Sequence, residues 1–186
     1  MTDLSQPGFQ RVVDAATRKG VALDIRLMPG TTHTAEEAAA AVDAELGQIV
    51  RTLALVAPRP DGRLVPIVCL VSGRNQADRD VLAAVTGEVA IREATGREAL
   101  ALTGYSIGSM PAFGYGHDVR ILMDQDLCQY EWVWAGTGTN TAIFRIAPRT
   151  LRMLANAVVA PVAKAAWMHV AVAAQADLQL PAGSSA

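Results

Sequence analysis

The stretch from Thr103 to Gly114, TGYSIGSMPAFG, places Gly104, Gly108, Gly114 and Pro111 among small and apolar residues with no charge. A segment of this kind offers its main chain rather than its side chains. Glycine lets the backbone approach a ligand closely or turn its N–H groups toward one point. The chemistry open to such a loop is the holding of a carbonyl or carboxylate oxygen by backbone donors, as an oxyanion hole does. Read as structure alone, the same residues make a tight Gly/Pro crossover between two core elements.

Other residues could join that chemistry. Arg51 lies in the first half of the apolar run QIVRTLALVA. A bare guanidinium is costly to bury, so it must emerge at an edge or be paired. His117, in Tyr115-Gly116-His117-Asp118, sits where a general base would be useful, but its polar neighbours fit a solvated ring or a partner of Asp118. His33, just before a helix cap, is either ligand-facing or solvated. Asp124 and Asp126 could share a metal, yet no third ligand is near in sequence and a helix-capping role for Asp124 fits better. Trp132 and Trp134 share one face of a strand, which suits core filling or the stacking of a base. His169, in an apolar stretch, reads as a packing residue. Cys69 and Cys128 read as reduced core thiols in apolar strands, with no CxxC spacing. No Ser/His/Asp or Cys/His constellation is evident, and no cofactor or metal is expected.

The elements that must position these residues follow from periodicity. Phe9, Val12, Val13 and Ala16 recur at helical spacing and are followed by Arg18-Lys19-Gly20, so a helix is expected from about Pro7 to Lys19. Alternation over Val21 to Leu27 predicts a half-buried strand ended by Pro29-Gly30. Thr34-Ala35-Glu36-Glu37 is a capping box opening an alanine-rich helix that stops at Gly47. Gln48 to Ala57 and Arg63 to Val71 read as strands joined through PRPDG in a hairpin. Short helices are expected around Val81 to Val85 and Glu93 to Leu102. Strands follow at Val119 to Met123 and Glu131 to Ala135, joined by a turn, and at Ala142 to Ile146. Pro148 opens a helix at or near its first position. From Arg152 onward the run of Ala, Val and Met reads as a largely apolar helix kinked at Pro161, suited to docking on the body or on a second copy as a homodimer. Pro181 to Ala186 is a tail.

At 186 residues the chain suits one domain. Its hydrophobic fraction is 51%, its charged fraction 18%, and its formal net charge -2. No broad basic field is available for nucleic acid, so such a partner must be gripped locally. The polar start and the interrupted apolar runs point to a cytoplasmic protein without a membrane span.

The order of these blocks resembles a known family. TAEEAAAAVDAELGQIVRTLALV, a hairpin with DGR in its turn, then VSGRNQAD, TGYSIGSMPAFG, and VWAG before FRIAP are similar to the YbaK/prolyl-tRNA-synthetase-associated domain family over roughly Val21 to Leu154. The resemblance implies an α/β (α+β) single domain with a mixed, curved central sheet flanked by helices. It implies an editing domain over residues 1–155, with a helical extension over 156–180 outside the usual pattern and a tail over 181–186. It further implies an aminoacyl-tRNA deacylase acting in trans on a mischarged tRNA, typically alanine on tRNA-Pro, at a pocket between sheet and glycine loop. By the same resemblance Arg51, Gly108 and Ser109 would serve catalysis, with backbone N–H groups of Gly108, Ser109 and Met110 on the carbonyl oxygen. His33, Thr34, Met110, Pro111, Ala112, Gly114 and Gly136 would contact the substrate. Its partners would be the acceptor end of a tRNA and a synthetase. The family usually carries lysine where this chain has Arg51, and often proline at Ala112. Arginine keeps the charge but not the ammonium geometry, which leaves a hydrolytically inactive homologue that binds aminoacyl-tRNA or a synthetase as the alternative.

Overall fold

The computed structural model describes residues 6–28 and 34–163. The first helix, α1 (Pro7–Arg18), starts on a proline and turns Phe9, Val12 and Ala16 inward. Strand β1 (Asp24–Leu27) is shorter than alternation predicts. Helix α2 (Ala35–Val42) opens on the expected box: the Thr34 hydroxyl accepts from the Glu37 N–H and the Glu37 carboxylate from the Thr34 N–H. It ends before Gly47, because Asp43 takes a left-handed conformation at φ 52° and the chain re-forms as a 3₁₀ turn over Leu46–Gln48.

Strands β2 (Val50–Pro58) and β3 (Leu64–Ser72) form the hairpin, in register from Val50 opposite Ser72 to Pro58 opposite Leu64. Its turn closes through Arg59 N–H to the Arg63 carbonyl at 2.8 Å, with Gly62 supplying φ 82°. Helix α3 (Arg79–Thr86) is capped by Asp78, and α4 (Gly96–Thr103) by a second box of Thr95 and Glu98. The two-residue β4 (Arg92–Glu93) lies between them.

The next two strands, β5 (Arg120–Asp124) and β6 (Val133–Gly136), go to different sheets, separated by a 3₁₀ turn over Gln125–Gln129. Strand β7 (Ala142–Ile146) and helix α5 (Pro148–Ala155), with proline in its first turn, follow as expected. The helix then stops. Asn156 turns left-handed at φ 49°, and Val158–Ala160 form a strand, β8, parallel to β5 where the sequence suggests continued helix. The remaining extension and tail lie outside the described residues.

The strands form one sheet in the order β4-β2-β3-β5-β8 and another in the order β1-β7-β6. A single parallel bridge, Ile49 to Trp134, links them. Residues of β3 alternate between two cores: Val68 and Leu70 face Val12, Phe113 and Phe144, while Ile67, Cys69 and Val71 face Leu82 of α3. Burial on both faces explains the unbroken apolar run of that strand. Among the described residues no helix is long and apolar enough to cross a membrane.

Candidate active site

The loop after α4 is fixed at both ends and open in the middle. Tyr105 is buried, its hydroxyl 3.2 Å from the Gly8 carbonyl, and its ring stands edge-on to Tyr115 at 5.7 Å. The Tyr115 hydroxyl donates to the Pro111 carbonyl at 2.6 Å. Met110, Ala112 and Phe113 are buried, with Phe113 edge-on to Phe144 at 5.6 Å. Burial pushes the phenols of Tyr105 and Tyr115 up, so both remain neutral donors. Between these anchors Ser106, Ile107 and Gly108 are exposed. Gly108 sits at φ 89°, in open space, so glycine is there for its backbone conformation and not for room.

That tip lines a cavity of about 300 Å³ at the junction of the two sheets. The loop contributes Ile107 to Met110, and β2 contributes Val50, Arg51, Thr52 and Leu53. Thr34 and Ala38 come from the α2 end, Trp134, Gly136 and Ile143 from the smaller sheet, and Thr139 and Asn140 from the turn after β6. Gly136 allows the approach of loop to sheet: a Cβ there would lie 3.2 Å from the Met110 carbonyl oxygen.

Arg51 is half-buried, and its Nη2 donates to the Asn75 carbonyl. Its Nε is buried without a hydrogen-bond partner among the described residues. The side chain also borders a second cavity of about 270 Å³ with Gln76 and Arg79. The acceptor is held in place from behind. Asn75 Nδ2 donates to Asp124 at 2.8 Å and to Asp126 at 2.8 Å, and the buried Asp124 carboxylate also accepts from the Ser72 N–H at 3.1 Å. Asp124 caps the 3₁₀ turn as well, accepting from the Asp126 N–H at 3.0 Å. The pairing of Arg51 with a carbonyl, through a loop ordered by two carboxylates, is invisible in sequence because it joins positions 24 and about 50 residues apart.

The remaining sequence-derived site residues separate into groups. Arg51, Gly108, Ser109, Met110, Thr34 and Gly136 share the cavity wall. Ser109 has no free donor to give, since its N–H donates to the Ser106 carbonyl at 3.1 Å and its hydroxyl to the same oxygen at 3.2 Å. Pro111, Ala112 and Gly114 are off the wall. Ala112 is fully buried, and a Cβ on Gly114 would meet Val12 Cα at 3.1 Å, so the last glycine serves the crossing of α1. His33 lies outside the described residues. His117 is exposed and not on the cavity wall. Trp134 is buried on the wall while Trp132 is 40% exposed.

No activated thiol is at hand. Burial pushes Cys69 up to about 12, with the Asp124 carboxylate adding to the effect. Cys128, expected in the core, is exposed on the 3₁₀ turn, and its thiol too is raised, chiefly by desolvation. Among the described residues no group of three His, Cys, Asp or Glu side chains is placed to hold a metal. The cavity therefore sets apolar side chains and the Arg51 guanidinium on one side against the main chain of Ile107 to Met110 on the other.

The aminoacyl-tRNA editing domain matches residues 30–154. A crystal structure of a candidate trans-editing enzyme for prolyl tRNA synthetase is 37% identical, with a TM-score of 0.77 over 86% of this chain and 99% of that one. The crystal structure of the hypothetical protein APE2540 is 26% identical, with a TM-score of 0.74 over 82% of this chain and 98% of that one. The uncharacterised protein YwhH of Bacillus subtilis (strain 168) is 26% identical over 128 residues, which is 69% of this chain and 78% of that protein.

Proposed function

This chain belongs to the aminoacyl-tRNA editing domain family, and from that premise we infer that it hydrolyses in trans the ester joining a small misattached amino acid, such as alanine, to the terminal ribose of tRNA-Pro. The observation that carries this reading is the sharing of one cavity by Arg51 and the main chain of Gly108 to Met110. The ester carbonyl would lie between them. The N–H groups of Gly108 and Met110 are the donors left to an oxyanion once Ser109 is committed to Ser106. Ile49, Leu53, Met110, Trp134 and Ile143 give the acyl side chain an apolar wall.

Arg51 contributes a permanent positive charge and cannot shuttle a proton. Among the described residues the cavity wall holds no carboxylate, imidazole, thiol or amine. With no such side chain there to take it, the proton of the attacking water passes to solvent, the neighbouring ribose hydroxyl serving only to relay it. The new C–O bond forms to water oxygen, the ester C–O bond breaks, and a proton ends on the departing ribose oxygen. Positioning and electrostatics supply the acceleration. The rate is expected to rise with pH, and an inflection near the imidazole range that persists on a substrate with a blocked α-amino group would instead assign a titrating protein group such as His33.

The test is incubation of the purified chain with alanyl-tRNA-Pro and a broad panel of other mischarged species. Absence of deacylation above background across the panel would sink the proposal. One observation favours a second reading, a protein that binds aminoacyl-tRNA or a synthetase without cleaving: the guanidinium is already tied to the Asn75 carbonyl. Activity appearing only in Arg51→Lys would support that reading.

A further inference from the structure

Resting on the reading that a tRNA end enters the cavity, we propose that the unpaired 3′ tail of that RNA crosses the outward face of the three-stranded sheet, gripped by Arg26 and Arg145. The registers place Asp24 and Trp134 on either side of Arg145, and Arg26 beside Ile143. Side chains alternate along a strand, so these residues share one face. The opposite face, with Ile25, Phe144, Val133 and Ala135, is packed in the main core, whereas on this face Trp134 and Ile143 pack with Ala38 and Ala39 of α2 and the two arginines stay exposed beside them.

Ile143 and Trp134 line the cavity. Their immediate cross-strand neighbours on the outward face are the two arginines, so the step from cavity to cation is one strand spacing, about 4.8 Å. Both arginines are exposed and both lie over indoles, Arg26 at 5.5 Å from the Trp134 ring and Arg145 at 5.2 Å from the Trp132 ring. An indole under a guanidinium orients it and leaves its in-plane N–H groups for phosphate oxygens. The exposed part of Trp132 adds a surface on which a base can stack. Such alternation of cation and ring suits a single strand, whose bases are unstacked, better than a duplex. The formal net charge of -2 makes a local grip of this kind necessary. One acid opposes it: Asp24 pairs with Arg145 at 3.0 Å.

Fluorescence anisotropy with the full chain and a labelled RNA hairpin, made with and without a single-stranded 3′ tail, tests the proposal. On the tailed hairpin Arg26→Ala/Arg145→Ala is expected to weaken binding about tenfold and to lower the salt slope by about one. Asp24→Asn, which frees Arg145, is expected to tighten it about threefold, a gain that misfolding cannot produce. Neither variant should change binding of the blunt hairpin by more than about twofold. The proposal is overturned if the double variant binds the tailed RNA as tightly as the parent, if Asp24→Asn brings no gain, or if the loss is equal on the blunt hairpin. The readout is binding, so a chain that grips the tail yet cleaves no ester would sink the proposed activity and leave this surface standing. Deacylation that ignores these variants in binding and in rate would do the reverse.

Discussion

The two sheets that meet at the cavity differ in how they hold their cations. In the five-stranded sheet the paired strands β2 and β3 run nine residues each, and β3 is buried on both faces. Its cavity cation, Arg51, is half-buried and tied to a carbonyl. In the three-stranded sheet the strands are four or five residues long, and Arg26 and Arg145 lie exposed on rings. On the proposed reading the larger sheet is the bed for the chemistry, and the smaller one is the surface along which the RNA strand passes.

That contrast should break first in the larger sheet. Leu70, fully buried at the centre of β3, is expected to lose about 2–5 kcal/mol of stability as Leu70→Ala. Leu27→Ala, in a strand where that side chain is 52% exposed, should cost less than about 0.5 kcal/mol. Comparable losses in denaturant titrations of the two variants would remove the distinction. Next, Arg51→Leu is expected to reduce deacylation about a hundredfold without a matching loss of RNA binding, by analogy with removal of one transition-state contact. A parallel fall in both would place Arg51 with the exposed arginines instead.

Gly136→Ala probes the seam. Its Cβ would press the Met110 carbonyl at 3.2 Å, and a shift of a few tenths of an ångström in the loop should slow single-turnover deacylation about tenfold. The smallest effect lies at the rim of the larger sheet. Arg92, with the Thr95 cap behind it, holds Glu98 down to about 2 from the usual 4.5. A carboxyl depressed on folding contributes stability that is fully present above its unfolded value and fades as pH falls through about 2. Protection factors of the α4 amides, taken relative to intrinsic exchange at each pH, should therefore fall between pH 4.5 and 2, and Arg92→Ala should flatten that response.

Much of the frame was legible because the signals are local. The Thr34 box, the PRPDG hairpin and the proline start of α5 each reside within a few residues. Alternation and helical spacing likewise located most strands and helices to within a few residues. The failures share a cause. β5 and β6 looked like neighbours because the linker is short, and only the full topology sends them to separate sheets. β8 was concealed in an apolar run, although Asn156 is a residue type that tolerates the left-handed turn found there. At the site, glycine content revealed the loop but not that Ser109 spends its donors locally. Spacing pairs Trp132 with Trp134 but links neither to positions 26 and 145, which only cross-strand register and ring contact bring beside them.

The exposed tip at Gly108 has a consequence for how this protein tolerates change. A recognition wall made of peptide groups would survive replacement of most side chains along it, because what it presents is common to every amino acid except proline. Alanine scanning of Ser106, Ile107 and Ser109 would thus find little, and sequence drift there would go unpunished. Vulnerability concentrates at one torsion, φ 89° at Gly108, which an L-residue adopts only under strain.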